Sequence, residues 1–263
     1  MALFGIEAST QLIDAHAPAT VSQGTGSLLI MYLDCLTVGR FPQHCYSQSL
    51  PVTRHLQAME TFWFRKRVTI FTGDNGSGKS TLIEAIACRM GFDPGGGVQA
   101  VFEQASAWTT STLHAAMGYH GTQPLINGYF LRSETQYDLA DLHARNAQLT
   151  EIPRSHGESI MDMVEGHFFS KGLFILDEPE VGLSPVHQMA LLGYIDMIAR
   201  QGSQFIIATH SPIVLAVPGA DIWHVTEQSL SQVDYQDHRL FLDWRAFLAQ
   251  PAEAIRAEMG RLR

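Results

Sequence analysis

A glycine-rich stretch in the first third of the chain has the residue types and spacing of a phosphate-binding loop. Residues 73–81 read GDNGSGKST, a full match to G-x-x-x-x-G-K-[ST]. The glycines let the backbone curl so that N–H groups point at phosphate oxygens, and the positive end of the following helix adds to the attraction. We therefore expect ATP to bind the residues of this loop, which are Gly73, Asp74, Asn75, Gly76, Ser77, Gly78, Lys79, Ser80 and Thr81.

Two side chains of this loop have defined roles in the motif. Lys79 reaches the β- and γ-phosphates as a point charge, and Ser80 offers its hydroxyl to Mg²⁺. The predicted cofactors are therefore ATP and Mg²⁺. The alternative is a glycine-rich turn that only caps a helix, and the strand and helix patterns on either side of the motif disfavour it.

An apolar run in the second half of the chain ends in two carboxylates. Residues 173–180 read LFILDEPE, and Pro179 stops the predicted strand. Asp177 is the candidate Mg²⁺ ligand, directly or through water, and Glu178 is the candidate catalytic residue that polarises the attacking water. Together with Lys79, these residues predict phosphoryl transfer to water.

His210 ends a third apolar run, SQFIIATH at 203–210. One interpretation makes it a catalytic contact to the γ-phosphate or to the water. The other makes it a hydrogen-bonded histidine at a strand end with no part in the chemistry. Its position alone leaves both interpretations open.

The stretch EIPRSHGESIMDM at 151–163 has two interpretations that coincide. Ser155 and Glu158 have the spacing of a capping box, which begins a helix. A capped helix start is also an anion site with spare N–H groups. Ser159 is not a hydrolytic nucleophile, because the elbow G-x-S-x-G needs a glycine where Met161 stands.

These residues need a sheet to bring them together. Three predicted strands, at 67–73, 172–178 and 203–210, are each followed by a helical pattern, and two of them are continuous apolar runs. Such alternation predicts an α/β fold with a mainly parallel sheet flanked by helices. Ligands bind beyond the carboxyl ends of such strands, where the three motifs lie.

Composition narrows the class of protein. The chain has 263 residues, of which 46% are hydrophobic, and a net charge of −9, which weighs against free binding to nucleic acid. The three cysteines form no C-x-x-C pair, and no run is long enough to span a bilayer. We expect a cytoplasmic protein without an integral membrane segment. Residues 1–30 are predicted to be a poorly ordered extension, with Met31 as an alternative start.

The motifs together resemble the core of ABC-type P-loop ATPases. LDEPEVGLSP followed by GSQFIIATHSP resembles the Walker B motif, the D-loop at Val181–Ser184 and the switch histidine at His210. RSHGE stands where that family has its signature motif, with Ser155, Gly157 and Glu158 matching. The set is most similar to small stand-alone bacterial ATPases of the AAA/ABC type, which share a GENGSGKST-like loop, an FLRAE-like strand (here GYFLRSE at 128–134) and SHGES.

The signature departs from the family pattern at two positions. Arg154 and His156 stand where leucine and glycine are usual. The resemblance implies a head-to-tail homodimer that forms on ATP binding. In it Ser155, Gly157 and Glu158 contact the ATP held by the other subunit. It also implies one ATPase domain at 31–263, with a signature and helical subregion inserted at about 91–170.

Two further residues are candidates for the nucleotide site. Glu134 follows a predicted strand and is our candidate for the glutamine-loop position, unless it only forms a surface ion pair with Arg132. Arg54 is a candidate contact to the base or sugar, unless it is simply a solvated arginine.

The predicted function is Mg²⁺-dependent ATP hydrolysis. It would drive a dimer that acts as a switch for a partner process such as DNA repair or phage defence, with a protein or DNA as the unknown partner. The alternative is the nucleotide-binding subunit of an ABC transporter. No heptad array separates Lys79 from Ser155, so a long coiled coil is excluded. A small-molecule kinase is disfavoured because Asp177, Glu178 and His210 favour water as the acceptor.

Overall fold

The computed structural model describes most of the predicted core but not the signature segment. The described residues are 31–41, 45–98, 111–133, 164–168 and 171–261. Residues 1–30, Glu134, and Ser155, Gly157 and Glu158 lie outside the described residues. The statements made about them above stay predictions.

Strands and helices alternate along much of the described chain. The strands are β1 (Cys35–Val38), β2 (Phe62–Trp63), β3 (Val68–Gly73), β4 (Gly97–Val98), β5 (Met117–His120), β6 (Gly128–Arg132), β7 (Leu173–Asp177), β8 (Gln204–Ala208), β9 (Asp221–Val225) and β10 (Leu230–Gln232). The helices are α1 (Pro51–Ala58), α2 (Lys79–Arg89), α3 (Pro185–Arg200), α4 (Arg239–Ala249) and α5 (Pro251–Arg261).

The larger sheet has seven strands in the order β10-β9-β3-β8-β7-β6-β4. The five inner strands run parallel to one another, and β10 and β4 pair antiparallel with them at the two edges. The three predicted strands are β3, β7 and β8, and they lie side by side. The prediction of a mainly parallel α/β sheet flanked by helices is therefore confirmed.

Apolar side chains cover both faces of this sheet, which explains the continuous apolar runs. On one face, α2 buries Leu82, Ile83 and Ile86 against a core that includes Ile175 and Ile206. On the other, α3 packs against a second core, whose members include Leu191, Ile195, Phe174, Leu176, Phe205 and Ile207. Each fully buried Leu, Ile or Phe contributes roughly 1.5–3 kcal/mol, so these two layers hold the strand ends in place.

A smaller antiparallel sheet, β2-β1-β5, packs on the same face of the larger sheet as α2. It was not predicted from the sequence. The side chain of Gln204 joins it to the larger sheet. Its Oε1 accepts hydrogen bonds from the N–H groups of Tyr32 (3.0 Å) and Leu33 (2.9 Å), and its Nε2 donates to the Leu33 carbonyl (2.8 Å). Gln204 is fully buried, so these bonds replace contacts with water.

Helices follow two of the three predicted strands, as expected. Ser184 is the N-cap of α3, with its side chain accepting from the His187 N–H (3.3 Å), and Pro185 is the first residue. α2 begins at Lys79 and α3 ends at Arg200. The helix predicted to follow the strand at 203–210 is wrong, because only a 3₁₀ turn forms there, at Val214–Ala216. Pro218 keeps the residue before it extended, so the turn cannot continue as a helix.

The last part of the described chain contains a strand pair and two helices. β9 and β10 form an antiparallel pair, and α4 and α5 follow. The two helices expose several large apolar side chains, namely Trp244, Phe247, Leu248, Ile255 and Met259. None of the helices in the described stretches is both long and apolar enough to cross a membrane.

The stretch predicted as a signature and helical subregion contributes strands where it is described. β4, β5 and β6 all lie within 91–133 and belong to the two sheets. A short helical stretch follows at 164–167. The domain boundaries themselves stay a prediction.

Candidate nucleotide-binding site

The glycine-rich loop leaves β3 at a point where no side chain would fit. A Cβ at Gly73 would lie 1.9 Å from the Val225 carbonyl oxygen on β9, and its φ is +130°. Gly78, with φ of +94°, would place a Cβ 2.8 Å from Val52 Cγ1 on α1. The close approach and the left-handed backbone both require glycine at these two positions. The loop is therefore shaped by β9 on one side and by α1 on the other.

Lys79 lies inside the loop that it follows in the motif. It is 5% exposed, and its Nζ donates to the carbonyl oxygens of Gly73 (3.0 Å) and Asp74 (2.7 Å) and to Ser77 Oγ (3.3 Å). Burial lowers the pKa of Lys79, while the carboxylates of Glu178, Asp74 and Asp177 act to raise it. The loop after β3 and the acidic end of β7 lie on either side of β8, at the same edge of the sheet.

The acidic pair ends β7 beside the loop. Asp177 is 6% exposed, and its strand pairs with β6 and β8. Glu178 has a φ of 50°, in the left-handed region, and its N–H donates to the Ala208 carbonyl (2.9 Å). This backbone conformation turns the chain sharply after the strand, and the Glu178 side chain is 42% exposed.

His210 lies two residues beyond β8 and faces Glu178. Its Nε2 is 3.9 Å from Glu178 Oε1, and its side chain is 38% exposed. Burial and the positive charge of Lys79 lower the pKa of His210, and Glu178 acts in the opposite direction. The imidazole is therefore neutral at pH 7, with one N–H to donate. Lys79, Asp177, Glu178 and His210 meet at one edge of the sheet, as the sequence predicts.

The remaining loop residues leave polar groups accessible at this edge. Asp74, Asn75, Gly76 and Ser80 are exposed. The exposed Ser80 hydroxyl and the Asp177 carboxylate are hard oxygen donors of the kind that Mg²⁺ prefers. Among the residues that the structure describes, no group of three or more His, Cys, Asp or Glu forms a metal cluster. The donors fit a cation that takes its other ligands from phosphate and water.

Only one of the two lower-ranked candidates lies within the described residues. Arg54, on α1, forms an exposed ion pair with Glu227, which agrees with the interpretation as a solvated arginine. Glu134 is outside them, so its role and its pairing with Arg132 stay predictions. Arg132 itself is 19% exposed, and its Nη1 lies 2.6 Å from Glu84 Oε2.

Several residues that shape the site were not predicted. The Ser133 hydroxyl, at the end of β6, lies 2.9 Å from the Asp177 carbonyl and 2.5 Å from the Glu178 carbonyl, and donates to this pair. Glu180 Oε1 accepts the His210 backbone N–H at 2.7 Å. In the sequence, the one indication of their role is that both residues closely follow strands whose carboxyl ends reach this edge of the sheet.

A pair of histidines connects the loop side of the sheet to α4. His224 pairs in register with Thr72 of β3, and its Nδ1 lies 3.1 Å from His238 Nε2. His238 Nδ1 accepts the Leu240 N–H (3.1 Å) and caps α4, so the proton of His238 is assigned to Nε2. Burial and the neighbouring His224 lower the pKa of His238 to about 4.

Two family models match the sequence around this site. Residues 147–216 match an AAA domain described as putative AbiEii toxin, Type IV TA system. Residues 54–94 match a second AAA-domain model. No curated protein matches the chain.

Solved structures to which the chain is similar at low identity include two from ABC transporters and one SMC head domain. CbiO1 from Clostridium perfringens, part of the ABC transporter complex cbiONQ, is 18% identical over 86% of this chain and 99% of that one, with a TM-score of 0.41. A putative metal-chelate type ABC transporter in an inward-facing conformation is 18% identical over 79% and 85%, with a TM-score of 0.37. The SMC head domain from Thermotoga maritima is 15% identical over 78% and 100%, with a TM-score of 0.43.

The fold and the site together indicate the class of protein to which the chain is similar. A parallel sheet with a glycine-rich loop after β3 and an acidic pair after β7 is the architecture of a P-loop nucleotide-binding protein. The two AAA-domain matches cover the loop on one side and the acidic pair with His210 on the other. The chain therefore has the fold and the loop of a P-loop nucleotide-binding protein, and two stretches of it match AAA-domain models.

Proposed function

We propose that the chain hydrolyses ATP to ADP and phosphate with Mg²⁺. The observation that carries this proposal is the meeting of Lys79, Glu178 and His210 at the carboxyl edge of the parallel sheet, with His210 Nε2 at 3.9 Å from Glu178 Oε1. Phosphoryl transfer needs positioning and charge stabilisation more than covalent chemistry, and these residues supply both.

Each residue has one task in the proposed reaction. The backbone N–H groups of the loop and Lys79 hold the phosphates of ATP. Ser80 and Asp177 would hold Mg²⁺, which would neutralise charge that develops on the phosphate oxygens. Glu178 accepts a hydrogen bond from the attacking water and polarises it. The neutral His210 donates its N–H to the γ-phosphate or to that water.

The proposed working unit is a head-to-tail homodimer that closes on ATP. Ser155, Gly157 and Glu158 of one subunit would complete the site on the other, as the resemblance to ABC-type ATPases implies. The exposed Val181, in the segment that resembles the D-loop, supports this arrangement because it places an apolar side chain next to the site. Hydrolysis would then open the dimer.

The proposed biological role is a switch for a partner process. The match at residues 147–216 is to an AAA domain described as putative AbiEii toxin, Type IV TA system, which supports a defence-type role, while the similarity to ABC transporter structures keeps the transporter subunit as the alternative. ATPase activity measured with and without DNA, together with identification of co-purifying proteins, tests this. An integral membrane protein that co-purifies would favour the transporter alternative.

Replacement of Glu178 by glutamine tests the proposed chemistry. Glu178→Gln keeps the shape of the side chain but removes the carboxylate, so ATP binding should persist while turnover falls by about a hundredfold or more. ATP-bound dimer should accumulate, which size-exclusion chromatography with bound-nucleotide analysis would detect. Glu253→Gln, at an exposed position on α5, is the matched control. Hydrolysis at the wild-type rate by Glu178→Gln would contradict the assignment.

A further inference from the structure

Glu180 connects two loops that each carry a residue of the site. It lies in the turn that follows Asp177 and Glu178, and its Oε1 accepts the backbone N–H of His210 at 2.7 Å. The two residues are 30 positions apart in the sequence. The carboxylate therefore ties the loop after β7 directly to the loop after β8.

Thr209 is a buried neighbour of the same carboxylate. It is fully buried, and its Oγ1 accepts the Ser211 N–H at 2.9 Å. Burial raises the pKa of Glu180, and the neighbouring Thr209 side chain and the bond from the His210 N–H act to lower it. Hydrogen bonds to a buried carboxylate are stronger than those to a neutral acceptor.

The same two loops have another tie that does not touch His210. Gln188 Oε1 accepts from Ser211 Oγ at 2.6 Å, and Gln188 Nε2 donates to the Leu183 carbonyl at 3.1 Å. The hydrogen bonds of Glu180 and of Gln188 both link the segment after β7 to the segment after β8. Only the bond of Glu180 is made to the backbone of His210. Gln188 therefore provides a matched control for a general loosening of the loops.

We propose that Glu180 is the positioning residue for His210. By accepting the His210 backbone N–H, it holds the imidazole opposite Glu178, at the place where the γ-phosphate and the attacking water would lie. This inference rests on the proposed ATPase function. It assigns Glu180 no contact with the nucleotide.

Steady-state kinetics with three variants tests the proposal. Glu180→Ala should lower kcat about tenfold to a hundredfold, the loss expected for one hydrogen bond to a charged group, with KM changed less than about threefold. Glu180→Gln keeps an oxygen acceptor and should restore kcat to within about fivefold of wild type. Gln188→Ala should lower the melting temperature as Glu180→Ala does but leave kcat unchanged.

Two further measurements separate positioning from simple destabilisation. In a His210→Ala background, Glu180→Ala should have no additional effect on kcat, because the residue it positions is gone. Amide hydrogen exchange at His210 should be slow in the wild type and faster in Glu180→Ala, whatever the activity. An equal loss of kcat in both backgrounds, or wild-type kcat in Glu180→Ala, would overturn the proposal. A wild-type protein with no ATPase activity would instead overturn the proposed function, even if exchange at His210 is slow.

Discussion

The backbone at Glu178 is held in a conformation that a glutamate rarely adopts. Its φ of 50° costs a non-glycine residue roughly 1–3 kcal/mol, and such positions cluster at functional sites. The Glu178 N–H donates to the Ala208 carbonyl at 2.9 Å, and the Ser133 hydroxyl lies 2.5 Å from the Glu178 carbonyl. The neighbouring strands β6 and β8 thus impose the turn that points this carboxylate at His210.

A pH-dependent change in stability follows from His238. In the unfolded chain its pKa is about 6.5, whereas burial and His224 lower the folded pKa to about 4. Between these pH values the unfolded chain binds more protons, so stability is complete above about pH 6.5 and is lost as the pH falls toward 4. Each unit of pKa difference corresponds to roughly 1.4 kcal/mol.

Urea unfolding at pH 7.5 and pH 5 measures this effect. His238→Asn keeps a side chain that can cap α4 but does not titrate, so its free energy of unfolding should fall less between the two pH values. His187→Asn, in the first turn of α3, is the matched control and should behave as the wild type. An identical pH dependence in His238→Asn and the wild type would show that His238 is not the group responsible.

The site residues that can be identified from the sequence share one property. Lys79, Asp177 and Glu178 follow local patterns, a glycine-rich loop or an apolar run, and the structure brings them together with His210. Ser133 and Glu180 have no such local pattern. Their contacts, to Glu178 and His210, join segments 45 and 30 residues apart and exist only once the strands are in order.

Secondary-structure elements were predictable when they were long and buried on both faces. β3, β7 and β8 are almost fully buried, so their apolar runs are unbroken. β1, β2 and β5 have only two to four residues each and pair across distant parts of the chain, such as Cys35 with His120. Such short strands carry too little periodicity to be recognised.

The Gln204 side chain makes hydrogen bonds whose loss should lower the free energy of unfolding substantially. Gln204→Leu removes its three hydrogen bonds and leaves the N–H groups of Tyr32 and Leu33 buried without that acceptor. We expect the free energy of unfolding to fall by roughly 3 kcal/mol or more. Gln204 begins β8, at the opposite end from the site, so ATP affinity of the folded protein should be unchanged.

Chemical denaturation and a nucleotide-binding titration below the melting temperature measure these two expectations. Gln201→Leu changes an exposed residue just after α3 and should alter stability by less than about 0.5 kcal/mol. A Gln204→Leu protein as stable as wild type would mean that the two sheets do not depend on this side chain.

If the whole molecule works as the proposed dimer, a mixture of two inactive variants should regain activity. Lys79→Ala disables the phosphate loop and Ser155→Arg disables the signature segment, so each protein alone should be inactive. A head-to-tail heterodimer of the two retains one site with both parts intact. An equal mixture should therefore recover up to about a quarter of wild-type ATPase activity.

The mixing experiment has an internal control. Lys79→Ala mixed with a Lys79→Ala, Ser155→Arg double variant contains no intact site in any pairing and should stay inactive. Absence of recovery in the first mixture, with dimers present by light scattering, would argue against contacts in trans.

The place of β3 in the larger sheet has a consequence for synthesis on the ribosome. β3 lies between β8 and β9, so both of its neighbours are translated well over a hundred residues after it. The carbonyl of Val225 that Gly73 packs against, and that accepts the Asp74 N–H, is the last of these contacts to emerge. A nascent chain shorter than about 225 residues should therefore lack a finished phosphate loop, and competence to bind ATP should appear late in translation.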